Sequence, residues 1–419
     1  MGKKKLVSVV VLVVCVGVAS VVWFRSSEEK PKYDLSNFKE EPLTGLGVNA
    51  HYTSISSDVG LMDDSGLKIV RMELNWATIE HQKGIYDFKS HGYDKIVNSL
   101  VEHGIRPYFV LDYSNSHYEK NQAIVTEKGR KAFDRFVNEV TKRYKDKGAI
   151  WEIWNEPNSG KYWYDQPSYA DYSLLVKSVT GTIKQNDPEG IIVAPALSAL
   201  NDESLKWTEE IFKRGVLSHI DAVSVHPYRG DPPETVSSDY EALRELIKRY
   251  TDKDIPIVSG EWGYSTGQGQ RDDNQQASNL TRMFLMNMYE GIPISIWYDW
   301  RNDGTDPNNI EHNFGLREND VTVPKHAYFA VKTLTKTLDG YKFYKRIDTK
   351  KSDDYILTFR DKKNNEILVC WTKRESHIIS LPHKLTGNII SIYGDNIGNL
   401  NEKNPKITLT NNPIYIRKK

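Results

Sequence analysis

Between residues 46 and 304 the chain alternates two hydrophobic periods. A short apolar run leads into a polar or aromatic exit, and then into a stretch whose apolar residues recur every three or four positions. The short runs fall at 46–52, 69–76, 106–113, 149–156, 191–197, 222–228, 256–261 and 293–298. Their starts lie about 20 to 45 residues apart, enough for a helix and two loops in each crossover. The stretch 130–147 shows the helical period, with Phe133, Phe136, Val137, Val140 and Tyr144 on one face among charges. Eight such units predict an α/β fold, a closed (β/α)₈ TIM barrel, whose usual length of ~250 residues suits the span 44–338. A doubly wound open sheet would alternate in the same way; the residues at the strand ends decide against it.

The rhythm changes after about residue 340. Short strand-like runs at 341–347, 355–359, 367–371, 377–381, 389–393, 407–409 and 414–416 follow one another with turn residues between them and no helical stretch. This predicts a small C-terminal antiparallel β-sandwich over 339–419, expected to cap the barrel.

The N-terminus reads as an address. Lys3, Lys4 and Lys5 precede residues 6–24, nineteen residues without a charge, and Arg25 follows. Nineteen helical residues span ~28 Å, close to the ~30 Å hydrocarbon core. The lysines are expected to stay cytoplasmic, which places the rest of the chain outside. Residues 1–25 are therefore expected to be a membrane anchor, or a signal that is cleaved, with 26–43 as a polar linker.

Composition narrows the partners. Lys+Arg and Asp+Glu both total 56, so the net charge is zero and the basic excess that nucleic-acid binding needs is missing. Ten Trp and twenty-four Tyr, many in loop-like positions, suit the aromatic faces on which pyranose C–H groups stack. Cys15 and Cys370 lie in unrelated runs, so neither a disulfide nor a thiolate metal site is expected. The spacing of Asp299, Asp303 and Asp306 lacks a calcium-loop pattern. No metal or cofactor is expected, and the chain is expected to be a monomer.

Chemistry in a (β/α)₈ barrel sits at the C-terminal ends of the strands. Two strands end in Glu followed by a turn: Trp151-Glu-Ile-Trp-Asn-Glu-Pro-Asn158 on the fourth and Ile257-Val-Ser-Gly-Glu-Trp-Gly263 on the seventh. Glycoside hydrolysis with retained configuration uses two carboxyls ~5–5.5 Å apart across the sugar. One attacks the anomeric carbon; the other protonates the departing oxygen and then deprotonates water. Glu261 and Glu156 are the candidates for these roles. Burial and the charge of Glu261 are expected to raise the pKa of Glu156. Glu152 lies four strand residues earlier, which would set it ~13 Å deeper, and is read as a structural ion-pair partner.

The Trp-Glu-Ile-Trp-Asn-Glu-Pro-Asn segment closely resembles the acid/base motif of clan A glycoside hydrolases, particularly family 39, and Ser259-Gly-Glu-Trp-Gly263 is similar to the clan's nucleophile strand. The resemblance covers residues 44–338. It implies that Asn155 bonds the sugar 2-hydroxyl, that Arg71 supports the nucleophile, that Tyr228 of His226-Pro-Tyr228 bonds it, and that Trp297 floors the subsite. Trp76, Asp112, Trp163 and Trp300 are further candidates for substrate binding, with Tyr113, Asn115, His117, Tyr162, Tyr164, Arg301, Asn302 and Asp303 on the same rim.

The function expected is hydrolysis of a β-linked polysaccharide or oligosaccharide outside the cytoplasm, through a covalent glycosyl-enzyme intermediate. Membrane-tethered relatives of family 39 include enzymes that trim exopolysaccharides, and the N-terminal segment suits such a role. Xylan, mannan and glucan chemistry fit the motifs equally. A transglycosylase would share every catalytic residue, whereas a silent glycan-binding barrel would be expected to lack one of the two glutamates.

Overall fold

The eight apolar runs close into a barrel of eight parallel strands in chain order, each paired with the next and the last with the first. They are β1 (Leu46–Asn49), β2 (Ile69–Asn75), β3 (Arg106–Asp112), β4 (Ile150–Ile153), β5 (Ile191–Ser198), β6 (Ala222–His226), β7 (Ile257–Trp262) and β8 (Ser295–Trp297). The computed structural model describes residues 35–51, 57–164, 166–381, 386–400 and 405–418. The anchor or signal expected at 1–25 lies outside the described residues. Among those described, no helix is long and apolar enough to cross a membrane.

Strand alternation sorts the buried side chains into two sets. Ile69, Tyr108, Ile150, Val193, Ala222, Val258, Ile294 and Ile296 form one cluster inside the barrel. Their chain neighbours, among them Val70, Phe109, Trp151, Ile192, Val223, Ile257 and Trp297, belong to the larger core shared with the helices. Leu35 and Phe38 also belong to the inner cluster. They sit on a helix, Leu35–Glu40, in a stretch read from sequence as linker. Two apolar residues three apart give that stretch a face to bury, and a stray polar linker has none.

The helix expected at 130–147 runs over Glu127–Tyr144 and starts where the Thr126 side chain accepts from Gly129 N–H, an N-cap just before the apolar face begins. The charged residues ahead of Phe133 are its exposed first turns.

Eight further strands follow: β9 (Lys342–Arg346), β10 (Asp354–Arg360), β11 (Glu366–Thr372), β12 (His377–Ser380), β13 (Gly387–Ile390), β14 (Asn396–Leu400), β15 (Lys406–Leu409) and β16 (Ile414–Lys418). They form a six-stranded sheet and a two-stranded sheet, paired antiparallel. β14 has no counterpart in the apolar pattern because Asn396, Gly398 and Asn399 dilute it. Ile356, Leu368, Cys370, Ile407, Leu409 and Ile416 fill the space between the sheets. The opposite face of the larger sheet, with Tyr355, Leu357, Phe359 and Trp371, joins the barrel core. Trp371 donates its indole N–H to Glu234 at 2.6 Å. The described residues thus make one compact unit, with the sandwich packed on the barrel.

Candidate active site

Arg71 is the hub of the C-terminal mouth of the barrel. It lies on β2, two residues along from the inward Ile69, so alternation points it inward as well. Its Nε donates to Glu152 at 2.8 Å, Nη1 to Asn49 at 2.9 Å and to Glu261 at 2.6 Å, and Nη2 to Asn155 at 2.7 Å. Burial alone would lower the pKa of this guanidinium, but the charges of Glu152 and Glu261 outweigh it and push the value well above the ordinary one. Glu152 is itself saturated, accepting from Tyr108 Oη at 2.7 Å and from Ser224 Oγ. Arg71 thus joins Glu152 to Glu261, and Glu152 takes the structural ion-pair role read for it from the sequence.

The two candidate glutamates reach the mouth through local departures from strand geometry. β4 ends at Ile153, and Trp154 and Glu156 both take positive φ, 72° and 48°. Such values are uncommon for residues with a Cβ, and here the surroundings hold them. Glu156 N–H donates to the Ala196 carbonyl at 3.1 Å, and Asn158 pairs with the backbone of Ser198 at 2.9 and 3.0 Å. The first and last residues of the Glu-Pro-Asn segment thus tie the turn to β5. On β7 the pairing with β8 shifts register between Ser259 and Trp262, which turns Glu261 toward the mouth. A Cβ on Gly260 would meet Ser224 Oγ at 2.5 Å, and one on Gly263 would meet the Tyr298 carbonyl oxygen at 2.0 Å. Both glycines flanking Glu261 allow that close approach.

A carboxylate oxygen of Glu156 and one of Glu261 lie within 4.8 Å of each other. Glu261 accepts from Arg71 on Oε2 and from Tyr228 Oη on Oε1 at 2.8 Å, so donors orient both its oxygens. Burial and the Glu261 charge push the Tyr228 hydroxyl well up, which keeps it a donor. Glu156 accepts from His226 Nδ1 at 2.8 Å. Arg71 has no lone pair, so its 3.4 Å contact with His226 Nε2 places the imidazole proton on Nδ1. Burial pushes the Glu156 carboxyl up, but the His226 hydrogen bond and the nearby positive charges bring it below its ordinary value. This reverses the expected rise, because a buried donor faces this carboxyl directly.

A cleft of about 300 Å³ opens over the pair. Asn155 lines it; Arg71 holds its Oδ1, which leaves its amide N–H groups for a ligand. His226 does not line it. It is fully buried and acts on Glu156, which makes it a positioning residue. The tryptophans are the main correction. Trp76 is buried with its N–H on Glu80, Trp163 packs against Trp154 with centroids 5.0 Å apart, and Trp300 gives its N–H to Asp58. Trp297 is 0% exposed and faces the helices, because alternation along β8 turns Ile296 and Tyr298 inward instead. Asp112 is buried beneath the cleft, with no partner for either oxygen among the described residues. Burial, then the charge of Glu73, raises its pKa well above the ordinary value. Asn115 is buried and braces the loop through Glu80, and Tyr164 is exposed outside the cleft.

The aromatic walls are instead Tyr113, Tyr162, Tyr228, Tyr298 and Phe314, with Tyr113 and Tyr162 stacked at 5.9 Å. Of these, Tyr298 and Phe314 were not foreseen, and neither were Asn49, His51, Glu73, Lys161 and Glu311. Glu73 was detectable in principle, two residues beyond Arg71 on the same face of β2. Glu311 and Phe314 sit in a long loop after β8, where no period marks them. Two triads offer donor atoms at metal-ligand spacing, Glu156–His226–Glu261 and His51–Asp299–Asp303. The first already has Arg71 on Glu261, a cation where an ion would sit.

Comparison with known proteins agrees with this geometry. Residues 36–304 match the cellulase family, glycosyl hydrolase family 5. The chain is 24% identical over 231 residues to a probable mannan endo-1,4-beta-mannosidase C of Aspergillus terreus, covering 48% of this chain and 57% of that protein. It is 23% identical over 300 residues to a beta-xylosidase of Caldicellulosiruptor saccharolyticus, covering 66% and 52%. The chain spans about half the length of the curated relatives it matches. A family 39 glycoside hydrolase from Bacteroides cellulosilyticus WH2 shares the fold, with a TM-score of 0.78 at 24% identity over 91% of this chain and 82% of that one. Families 5 and 39 both fall in clan A, the resemblance read from the strand-end motifs. The chain belongs to the cellulase family, glycosyl hydrolase family 5.

Proposed function

We propose that the protein cleaves a β-linked polysaccharide or oligosaccharide with retention, Glu261 acting as nucleophile and Glu156 as acid/base. One observation carries this reading: the carboxylate oxygens within 4.8 Å of each other. That is close to the ~5–5.5 Å of retaining enzymes and short of the ~6.5–9.5 Å that leaves room for a water in inverting ones.

In the first half, a Glu261 oxygen bonds the anomeric carbon as the glycosidic C–O bond breaks, and the Glu156 proton passes to the departing oxygen. A sugar seated in the cleft displaces water from Glu156, which favours its protonated form against the pull of His226. In the second half Glu261 carries the sugar as a neutral ester. With that charge gone, Glu156 takes a proton from water, whose oxygen bonds the anomeric carbon and releases Glu261. Arg71 and Tyr228 accept the carboxylate back.

The relatives carry names for β-mannan, β-xyloside and aryl-phospho-β-glucoside chemistry, which supports a β-linked substrate. The charge pattern of residues 1–25 supports a site of action outside the cytoplasm, on a secreted or surface glycan such as an exopolysaccharide. Proton NMR of the first-formed product tests the mechanism: the β-anomer is expected, and immediate appearance of the α-anomer overturns it. Fractionation of the expressing cells tests the location.

A further inference from the structure

Outside the cleft, three cations converge on one tyrosine ring. Tyr118 lies in the loop after β3, the loop that begins with Tyr113 of the cleft wall. Its ring stacks on the buried Trp76, with centroids 5.3 Å apart and planes 9° from parallel, so one face is covered. Lys83 Nζ lies 5.3 Å from the ring centre, Arg135 Cζ 5.8 Å and Lys128 Nζ 6.0 Å. Lys83 comes from the segment after β2, Lys128 and Arg135 from the helix Glu127–Tyr144, and all three are exposed. Lys120, also exposed, follows in the same loop.

The acids of these segments are engaged elsewhere. Glu80 is fully buried and accepts from Trp76, Gly84 and Tyr118. Glu119 is buried and accepts from Thr126, Glu127 pairs with Lys131, Asp134 accepts from Thr182, and Glu139 from Asn138. Among the described residues, Lys83, Lys128 and Arg135 have no carboxylate at ion-pair distance; Arg135 gives one N–H to the Lys131 carbonyl. The whole chain has zero net charge, so this is charge gathered in one place rather than a general basic character. The ring offsets part of the mutual repulsion, and an anion set among the three would offset the rest.

The catalytic cleft has the opposite balance. Glu73, Glu156, Glu261 and Glu311 line it against Arg71, Lys161 and His51, and His51 is already paired with Asp303. An uncharged sugar suits the point of cleavage, and acidic groups of a substrate gain only beyond it. The loop after β3 connects the two regions: Tyr113 stacks on Tyr162 in the cleft wall, and Tyr118 stands among the cations. A glycan that leaves the cleft over this rim meets them.

We propose that the surface around Tyr118 binds an acidic polysaccharide, one in which some sugar units carry carboxylates. Three separate single charges suit carboxylates spaced along a chain. The proposal rests on the glycosidase reading above and deepens it: the substrate is an anionic glycan whose unit at the cleaved bond is neutral. An anionic lipid surface is the rival partner, because Ile85 and Val125 are exposed on the flanking segments. The loop shared with the cleft favours the polysaccharide.

The test measures binding of the full chain to carboxymethylcellulose and hydroxyethylcellulose, which share a β-glucan backbone and differ in charge. At low ionic strength the charged polymer should bind at least about tenfold more tightly, and the preference should vanish in ~1 M salt, where the screening length is about 3 Å. The combined variant Lys83→Gln, Lys128→Gln, Arg135→Gln should lose about tenfold in affinity for carboxymethylcellulose while keeping wild-type kcat/KM on a short neutral glycoside. Equal binding of the two polymers by the wild type overturns the proposal whatever the variant does, and so does unchanged affinity in a variant with wild-type turnover. A preference for phosphatidylglycerol over phosphatidylcholine vesicles that the variant loses, without any preference between the polymers, overturns it in favour of a lipid surface. Binding of the charged polymer with no cleavage of any glycan supports the surface and overturns the hydrolase reading alone.

Discussion

Glu152 Oε2 accepts from Arg71 Nε at 2.8 Å, and the same guanidinium reaches Glu261 through Nη1 at 2.6 Å. One buried carboxylate therefore braces the cation that orients another. Removing one partner of a buried pair leaves an uncompensated charge, which costs about 3–5 kcal/mol. Glu152→Ala is expected to lose stability in that range, read by denaturant unfolding. Arg71→Lys keeps the charge but not the fork, and should lower kcat by about 10² or more even where the protein remains folded. Wild-type stability in Glu152→Ala would show that the pair is not a support.

The catalytic pair makes a separate prediction. Glu261→Gln should lower kcat/KM by about 10³-fold or more, because the attacking oxygen is lost. Glu156→Ala should be least damaging for aryl glycosides with good leaving groups, which need no proton. Azide should partly restore its turnover, giving a β-glycosyl azide identifiable by mass and NMR. Near-normal rates in either variant would remove the assignment.

His226 acts through Glu156, and the pH profile should report it. Its hydrogen bond holds the Glu156 carboxyl below the ordinary value. In His226→Phe that hold disappears, and burial then raises the Glu156 pKa. The protonated acid persists to higher pH, so the alkaline limb of kcat/KM should move upward. A lower kcat with an unshifted limb would mean that His226 is only part of the wall.

The His51–Asp303 pair predicts a pH dependence of stability. Hydrogen bonding to Asp303 raises the His51 pKa from 6.5 to about 9, against a smaller opposing effect of burial. A raised folded-state value gives stability that is complete below about 6.5 and lost as pH rises through about 9. The His51 side chain is 46% exposed, so solvent screens the pair and the effect should be small. Melting temperatures of wild type and His51→Gln should converge between those two pH values. A constant difference across that range would show that the pair does not titrate with folding.

Much of the fold was legible because period and spacing are local properties. Eight short apolar runs separated by helix-length stretches admit few closed arrangements, and the glutamates at the ends of the fourth and seventh runs mark the mouth. Alternation, followed one residue further, would have separated Ile296 and Tyr298 from Trp297, and placed Glu73 beside Arg71. The tryptophans misled because bulk and aromaticity suit a sugar platform and a barrel wall equally well, and only burial distinguishes them.

The chain's own order of residues thus determined which carboxyls meet, since strand number and side-chain period are written along it. What each carboxyl feels was decided by packing. The left-handed turn at Trp154 and Glu156, the register shift at Glu261, and the His226 donor on Glu156 all depend on contacts between strands distant in sequence. A pKa responds to the groups within a few ångströms, and the linear pattern does not say which groups those are.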